Sequence, residues 1–273
     1  MGAIDGATTG REPLSTDARP FGAQLRLWRD RRRASQLDLA LAAGVSARHI
    51  SFLETGRSRP SRAMVLRLAG ELDVPREARN DWLHAAGFSP AFRRRDASDG
   101  EMRAANEAVR WMVERHDPYP GFALDRHWRI VRDNRAASRL LAGFGIGEGD
   151  SLLEAFLTSE ALQGAIANLE EVAAHSRARL VAQLQHYGED DVLLAAVEQL
   201  DRMVAGHDMV EPTEAFVPVR YRMGGAQLSL VSAFAHFQTA QDIGLAELRV
   251  ELMFPADEAT RETLLAMADS GSA

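Results

Sequence analysis

The chain has 273 residues, of which 46% are apolar and 26% are charged, as expected for a globular protein long enough to form two domains. It contains no cysteine, which excludes disulfides, thiolate metal sites and a cysteine nucleophile. No apolar run approaches the roughly 20 residues needed to span a bilayer. Residues 1–20 lack the basic and apolar regions of a secretory signal. We therefore expect a cytoplasmic protein whose residues 1–20 form a flexible tail.

Charge is distributed unevenly along the chain. Residues 20–95 contain 15 arginines and 7 acidic residues, a net charge of +8, whereas the whole chain carries −7. The remainder therefore carries −15. A basic segment within an acidic chain indicates that this segment alone meets a polyanion such as a nucleic acid.

Residues 21–88 have the pattern of an all-α domain built from short helices. Ser35 and Ser46 stand at N-cap positions, and Gly44 between them is suited to end the first of the two helices. Two helices joined by about three residues around a glycine form a helix-turn-helix unit. The pattern therefore predicts such a unit.

The stretch SQLDLALAAGVSARHISFLETGRSRPS, residues 35–61, resembles the helix-turn-helix of the lambda-repressor/Cro class, also called the xenobiotic-response-element family. The positions in register are Gln36, Ala40, Gly44, Val45, Ser46, Ile50, Glu54, Gly56 and Pro60. The resemblance implies binding to a double-stranded DNA operator. In this class the N-terminal end of the second helix of the unit enters the major groove.

The resemblance also implies a role for each matching residue. The implied DNA-binding residues are Gln36, Ser46, Ala47, Arg48, Ser51, Phe52, Thr55, Arg57, Arg59 and Arg62. Among them, Arg48 is suited to a bidentate bond to guanine and Phe52 to contact with a thymine methyl group. Gln36 would contact a phosphate and brace the reading helix, while the later arginines would hold the DNA backbone without specifying sequence. Arg29 and Glu54 match a structural ion pair of the class.

Residues 89–103 are interpreted as a linker, because Pro90, three arginines and an Asp/Ser/Gly-rich stretch interrupt the helical pattern. Two interpretations of Arg93–Arg95 remain open at this stage. The arginines could reach phosphates, or they could belong to a solvated connection.

The sequence pattern changes after residue 103, and the pattern of residues 104–268 predicts an α+β domain. A helix is followed by a hairpin around residues 121–131, and then by helical sequence that includes one long helix over residues 159–188. Further strands are expected within residues 215–254, with a last helix after them. Residues 269–273 are taken as a tail.

Two segments of this domain carry a second resemblance. PGFALDRHWRIVRDNRAASRLL, residues 120–141, and LAELRVELMFPADEATRETL, residues 245–264, resemble the two ends of the MmyB-like ligand-binding domain. The resemblance implies a PAS-like fold with an apolar pocket for a fatty-acyl or similar lipophilic effector. The candidate ligand-binding residues are Phe122, Trp128, Leu140, Phe144, Phe156, Phe216, Tyr221, Phe234 and Phe237. A side chain of any of these types is more often part of an ordinary hydrophobic core than of a pocket wall.

The sequence does not favour catalysis, a cofactor or a metal site. Its eight histidines are scattered, without carboxylates at ligand spacing. The stretch GFGIGEG, residues 143–149, lacks the Lys-Ser/Thr of a phosphate-binding loop and does not join a strand to a helix in a βαβ unit. We interpret it as an ordinary loop.

The leading hypothesis is a bacterial transcription factor that binds its operator as a homodimer, because one helix-turn-helix contacts only a few base pairs. A small lipophilic effector in the second domain would control it. The alternative is that the second domain binds a partner protein, such as polymerase or an antisigma-like factor. A cavity of several hundred cubic ångströms favours the effector, and a core filled by side chains favours the partner.

Overall fold

The computed structural model describes residues 19–95, 99–205, 216–237 and 240–270. The chain divides into two compact units. The first comprises residues up to Val74 together with Arg79–Ala91, and the second comprises Pro75–Ala78 and the chain from Phe92 onwards. The last crossing between the units thus falls inside the interpreted linker. Most of the two expected tails lies outside the described residues.

The first unit is all-α, as predicted. Its helices are α1 (Phe21–Arg31), α2 (Gln36–Ala43), α3 (Ala47–Glu54), α4 (Arg62–Glu71) and, from Arg79 onwards, α5 (Arg76–Ala85). The hydroxyl groups of Ser35, Ser46 and Ser61 accept hydrogen bonds from the backbone N–H groups three residues further on, so each serine caps a helix. Gly44 follows α2 with φ = 64°, a left-handed conformation that glycine adopts without strain.

Close packing of α1 against the end of α3 depends on Gly22. A Cβ atom at this position would lie 2.5 Å from the carbonyl oxygens of both Leu53 and Glu54. Around this contact, Leu25, Ile50, Leu53 and other apolar side chains of the five helices are fully buried. The first unit therefore positions α3 by direct contact with the backbone of α1 as well as by side-chain packing.

The second unit is α+β, as predicted. Its elements are α6 (Arg103–Glu114), β1 (Gly121–Leu124), β2 (Ile130–Asp133), α7 (Arg135–Ala142), α8 (Leu152–Thr158), α9 (Glu160–Ala165), α10 (Leu169–Tyr187), α11 (Asp191–Val204), β3 (Val219–Met223), β4 (Ala226–His236), α12 (Ile243–Glu247), β5 (Arg249–Pro255) and α13 (Glu258–Ser270). The strands form one sheet in the order β2-β1-β5-β4-β3, and all neighbouring strands are antiparallel.

The two faces of this sheet contact different helices, because side chains alternate between faces along a strand. On one face, Ala123 and Val250 pack against Val109 and Val113 of α6. The other face carries residues such as Phe122 and contributes to the main core with helices α7 to α11. No helix within the described ranges is long and apolar enough to cross a membrane.

The prediction of one helix over residues 159–188 is wrong. The segment forms α9 and α10, separated at Ile166–Asn168. There Ile166 pairs with Tyr221 of β3, and the backbone N–H of Ala167 donates to the Arg220 carbonyl oxygen at 2.7 Å. The helical hydrogen bonds are exchanged for pairing with a strand some 50 residues later in the chain, a contact that the local pattern does not contain.

Candidate nucleic-acid interface and internal cavity

Helix α3 presents the residues expected to face base edges. Its apolar side is anchored by Ile50 and Leu53, both fully buried. Among the expected readers near the start of α3, Arg48 is exposed, and Ala47, Ser51 and Phe52 are partly exposed. Ser46, expected in the DNA-binding set, caps the helix by accepting a hydrogen bond from the His49 backbone N–H at 3.1 Å.

Phe52 lies between two arginines. The guanidinium carbon of Arg48 is 5.1 Å from the centroid of its ring, and that of Arg57 is 6.0 Å away. Cation–π contacts of this kind are weak at exposed sites, but they restrict the positions that a long side chain samples. Arg48 and Phe52 are therefore placed side by side, four residues apart on one face of α3.

Glu54, at the end of α3, connects three helices. It accepts a hydrogen bond from Arg29 Nε at 2.7 Å and another from Gln36 Nε2 at 2.8 Å. The ion pair expected between Arg29 and Glu54 is therefore present, and Gln36 braces α3 as the resemblance implied. The contact of Gln36 with a phosphate remains a prediction.

The residues expected to hold the DNA backbone follow α3. Thr55 Oγ1 donates to the carbonyl oxygen of Ser51 at 2.7 Å. Arg57, Arg59 and Arg62 are exposed and, within the described part of the chain, have no hydrogen bond or ion pair to another residue. Their guanidinium groups are therefore accessible to phosphate oxygens.

The linker arginines are held by acidic residues of the second unit. Arg94 Nη2 lies 2.8 Å from Glu247 Oε2. The backbone N–H of Arg95 donates to Asp242 Oδ2 at 2.8 Å, and its side chain pairs with Glu101. Neither of the two interpretations left open by the sequence, a solvated linker or a phosphate contact, describes these two residues, because Arg94 pairs with Glu247 and Arg95 pairs with Glu101.

A cavity of about 100 Å³ lies inside the second unit. It is lined by Phe122, Trp128, Leu140, Leu141, Leu152, Phe156, Leu162, Ile166, Val172, Ser176, Arg179, Val219, Tyr221, Glu251 and Met253. Five of the nine candidate ligand-binding residues are in this set: Phe122, Trp128, Leu140, Phe156 and Tyr221. The cavity is smaller than the several hundred cubic ångströms typical of sites for drug-sized ligands.

The remaining four candidates do not line the cavity. Phe144 packs on the outside of the same core. Phe216 is 55% exposed, because pairing of β3 begins only at Val219, after a proline that has no N–H to donate. Phe237 packs with the α6 cluster on the opposite face of the sheet. Phe234 is 39% exposed, and its ring covers a residue that the sequence did not single out.

That residue is Arg179 of α10. Its guanidinium carbon lies 4.4 Å from the ring centroid of Trp128 and 4.2 Å from that of Phe234. It lines the cavity but makes no hydrogen bond or ion pair to any other described residue. Burial lowers the pKa of Arg179, an effect that the nearby charge of Glu251 opposes.

Two hydroxyl groups join Arg179 in the cavity wall. The side chains of Ser176 and Tyr221 line the cavity, and neither hydroxyl hydrogen-bonds to another residue in the described ranges. Burial raises the pKa of Tyr221, and the negative charge of Glu251 raises it further, so its proton stays in place at neutral pH. Ser176, Arg179 and Tyr221 thus supply hydrogen-bond donors to a cavity whose lining also contains the Glu251 carboxylate and is otherwise apolar. Sequence reasoning missed Ser176 and Arg179, whose helical spacing is ordinary.

No group of three or more histidine, aspartate or glutamate side chains in the described part of the chain is arranged to hold a metal ion. Two of the histidines make hydrogen-bonding contacts within the second unit. His127 Nε2 lies 2.9 Å from Asp190 Oδ2, and His116 Nε2 lies 2.7 Å from the Met253 carbonyl oxygen.

Comparison with known proteins matches both parts of the chain to families. Residues 105–267 match the family described as MmyB-like transcription regulator ligand binding domain, and residues 20–82 match a helix-turn-helix domain. The chain is 40% identical over 84 residues to RghRB of Bacillus subtilis (strain 168), described as an uncharacterized HTH-type transcriptional regulator. That match covers 30% of this chain and 58% of the relative, so the chain spans just over half the length of the curated protein it matches.

A solved structure, the PAS domain from Bordetella pertussis BvgS, aligns with 61% of this chain and 96% of its own length, with 16% identity and a TM-score of 0.28.

Proposed function

This chain belongs to the MmyB-like transcription regulators, with a helix-turn-helix domain ahead of the ligand-binding domain, and we propose that a small lipophilic effector in the second unit controls its sequence-specific binding to a DNA operator. The observation that carries the DNA-binding part is the arrangement at α3. Arg48 is exposed beside Phe52, and it is followed by the exposed residues Arg57, Arg59 and Arg62, none of which has an ion pair within the described residues. One set of groups is suited to base edges and the other to phosphates.

We further propose that the chain acts as a homodimer on inverted half-sites. A single helix-turn-helix contacts only a few base pairs, so two copies are needed for the affinity and selectivity of a specific operator. Gln36, Ser46, Ala47, Ser51 and Thr55 complete the proposed interface as helix-positioning or minor contacts.

The proposed effector site is the cavity. Its apolar wall, including Phe122, Leu140 and Phe156, suits a hydrocarbon chain, while Ser176, Arg179 and Tyr221 suit a group that accepts hydrogen bonds. A fatty-acyl compound has both features. Of the residues suggested by the sequence, we retain those that line the cavity, together with Phe234 as the residue that covers Arg179.

The size of the cavity defines what the effector must do on entering. Its volume of about 100 Å³ is well below the several hundred cubic ångströms typical of sites for drug-sized ligands. A longer chain fits only if the surrounding side chains move apart. Such movement supplies two arrangements with different effector affinity, which is the thermodynamic requirement for control.

The same small volume also supports a second candidate function. A core already filled by side chains favours a domain that binds a partner protein instead of a small molecule. In that case α3 binds DNA in the same way, but no lipophilic compound alters the affinity for the operator.

Operator binding in the presence of a lipophilic probe tests the proposal. The operator is first selected from random DNA with the full chain, and its affinity is measured by fluorescence anisotropy with and without dodecanoic acid. We expect the probe to change the affinity of the wild type but not of Arg179→Met. Arg177→Met is the matched control, because Arg177 lies on the same helix but pairs with Asp201 instead of lining the cavity.

Small molecules extracted from the purified chain, identified by mass spectrometry, give the natural effector. Absence of any bound compound, together with no effect of the probe on operator affinity, would contradict the effector and favour the partner protein.

A further inference from the structure

The segment Arg93–Arg95, through which the chain passes from the first unit into the second, is hydrogen-bonded to both ends of the short helix α12. At the start of α12, the N–H of Ile243 donates to the Arg93 carbonyl oxygen at 2.9 Å, and Asp242 Oδ2 accepts from the Arg95 N–H at 2.8 Å. At its end, Glu247 binds the Arg94 side chain. The segment is therefore docked on the second unit and is not a free connection.

The two carboxylates that hold the segment are buried. Asp242 is 4% exposed and Glu247 is 5% exposed. A buried carboxylate that loses a partner retains an uncompensated charge, which is costly in free energy. Docking of Arg94 and Arg95 is therefore sensitive to anything that changes the surroundings of these two acids.

Glu247 is shared between the docked segment and a second arginine. Arg126 Nη1 lies 3.4 Å from Glu247 Oε1, while Arg94 holds Oε2. Arg126 also pairs with Asp190 through Nη2 and with Glu77 through Nη1, and Glu77 is likewise within 3.4 Å of Arg94. Because two cations contact one buried carboxylate, a displacement of Arg126 changes the hydrogen bonding and the charge balance that Arg94 meets.

Arg126 is in turn connected, through hydrogen bonds of Gln183, to Trp128 in the cavity wall. Its carbonyl oxygen accepts a hydrogen bond from Gln183 Nε2, and Gln183 Oε1 accepts one from Trp128 Nε1 at 3.3 Å. Gln183 is buried in α10. Trp128 lines the cavity with its ring against Arg179. Its φ of 58° is uncommon for a bulky residue, and such strained residues concentrate at ligand sites and switches.

We propose that the series Trp128–Gln183–Arg126–Glu247–Arg94 couples occupancy of the cavity to docking of Arg93–Arg95. A ligand that displaces the Trp128 ring weakens the hold of Gln183 on Arg126, alters the pairing of Glu247 and releases the segment. The two-state element is the segment itself, docked on α12 or released, and both ends of the series bias its equilibrium. Release frees the last segment by which the chain passes from the first unit into the second, and this change is the proposed route of the signal to the helix-turn-helix.

This coupling rests on the proposed function only in taking the cavity as the effector site. Gln183 and Arg126 are positioning residues in it, since neither is required to touch the effector. By thermodynamic reciprocity, release of the segment changes the affinity of the cavity for its ligand by the same factor by which the ligand changes the docking equilibrium.

Hydrogen–deuterium exchange of the full chain tests the coupling without any ligand. The reporters are the backbone N–H groups of Arg95 and Ile243, which are hydrogen-bonded only while the segment is docked. Gln183→Met breaks the series and is expected to speed exchange at both amides by about tenfold, because their local opening becomes easier. Gln199→Met is the matched control: Gln199 makes a similar bond to a backbone carbonyl, that of Leu157, but has no connection to Arg126.

The coupling is overturned if Gln183→Met leaves both reporters unchanged, or if the two glutamine variants raise exchange equally. If Gln183→Met lowers the protection from exchange throughout the core, for example at Leu180, Trp128→Phe is used in its place, since that change also removes the Nε1 donor at the head of the series, together with the five-membered ring that carries it.

Dodecanoic acid then separates this coupling from the effector proposal. Faster exchange at Arg95 and Ile243 with the acid in the wild type, but not in Gln183→Met, supports both. If the acid has no effect while Gln183→Met still speeds exchange, the effector assignment fails and the series stands. If the acid binds and speeds exchange equally in both proteins, the series is overturned.

Discussion

Arg29 and Glu54, 25 positions apart in the chain, form an ion pair with Arg29 Nε 2.7 Å from Glu54 Oε1. The pair connects α1 to the end of α3, the helix proposed to contact base edges. Both side chains are largely buried. The hydrogen bond to Glu54 raises the pKa of the Arg29 guanidinium although burial opposes it. The reading helix is thus oriented by a contact that need not touch DNA.

Removing one partner of this pair is expected to be costly. Glu54→Ala leaves the Arg29 charge without its main partner and should lower the free energy of unfolding of the first unit by about 3 kcal/mol. Asp30→Ala, which removes an exposed partner of the same arginine, should cost less than about 1 kcal/mol. Hydrogen exchange of the α1 and α3 amides measures the loss of stability in both variants. Equal losses would show that the buried pair stabilises the unit no more than the exposed one.

Two glycine substitutions are expected to act in opposite directions. At Gly22 a Cβ atom has no room against the carbonyl oxygens of Leu53 and Glu54, so Gly22→Ala should destabilise by about 1–3 kcal/mol. At Gly70, on α4, nothing lies within 4 Å of the added atom, so Gly70→Ala should stabilise by roughly 0.5–1 kcal/mol. Urea unfolding measures the difference; the close helix packing is contradicted if both changes stabilise.

Asp190 links stability to pH. Burial alone raises the pKa of this carboxyl, but the hydrogen bonds from His127, the Leu193 backbone N–H and Arg126 outweigh burial and lower the pKa below its usual value. The charged form is therefore favoured in the folded chain. The charged Asp190 side chain contributes fully to the free energy of unfolding above its pKa in the unfolded chain, about 3.9. This contribution is lost as the pH falls through the lower pKa that Asp190 has in the folded chain.

Asp190→Asn retains an oxygen to cap α11 but removes this charge. The variant should be less stable than the wild type at pH 7, and the gap should narrow as pH falls below about 4. Urea midpoints measured from pH 7 to pH 3 give the comparison. A gap that stays constant over this range would show that the Asp190 charge adds nothing.

Much of the DNA-binding unit could be predicted because its signals are local. Ser35, Gly44 and Ser46 fix the ends of two helices within a few residues of themselves, through caps and one left-handed turn. The position of Gly22 could not be predicted, since its close contact is with residues some 30 positions later.

The internal site depended more on tertiary contacts. Ser176 and Arg179 are three residues apart on α10, an ordinary spacing, and only the packing of that helix against the sheet makes them donors in a cavity. The docking of Arg94 likewise depends on Glu247, about 150 residues further along the chain. A sequence pattern without an alignment does not reveal such pairs.

Arg57 is expected to bind phosphate without reading sequence. Arg57→Ala should weaken binding to operator and random DNA alike and reduce the salt dependence, the slope of log K against log salt, by about 1. Arg26→Ala is the control, because this exposed arginine on α1 is outside the proposed interface. An unchanged slope for Arg57→Ala would remove Arg57 from the phosphate contacts.

Sequence-specific reading by α3 is tested most directly by fluorescence anisotropy of the full chain on its selected operator and on a scrambled duplex at one salt concentration. The wild type should prefer the operator by at least about a thousandfold. Arg48→Ala should cost on the order of 1–3 kcal/mol on the operator and much less on the scrambled duplex, so the preference falls. Equal weakening of Arg48→Ala on both duplexes would contradict the assignment of Arg48 as a base-reading residue.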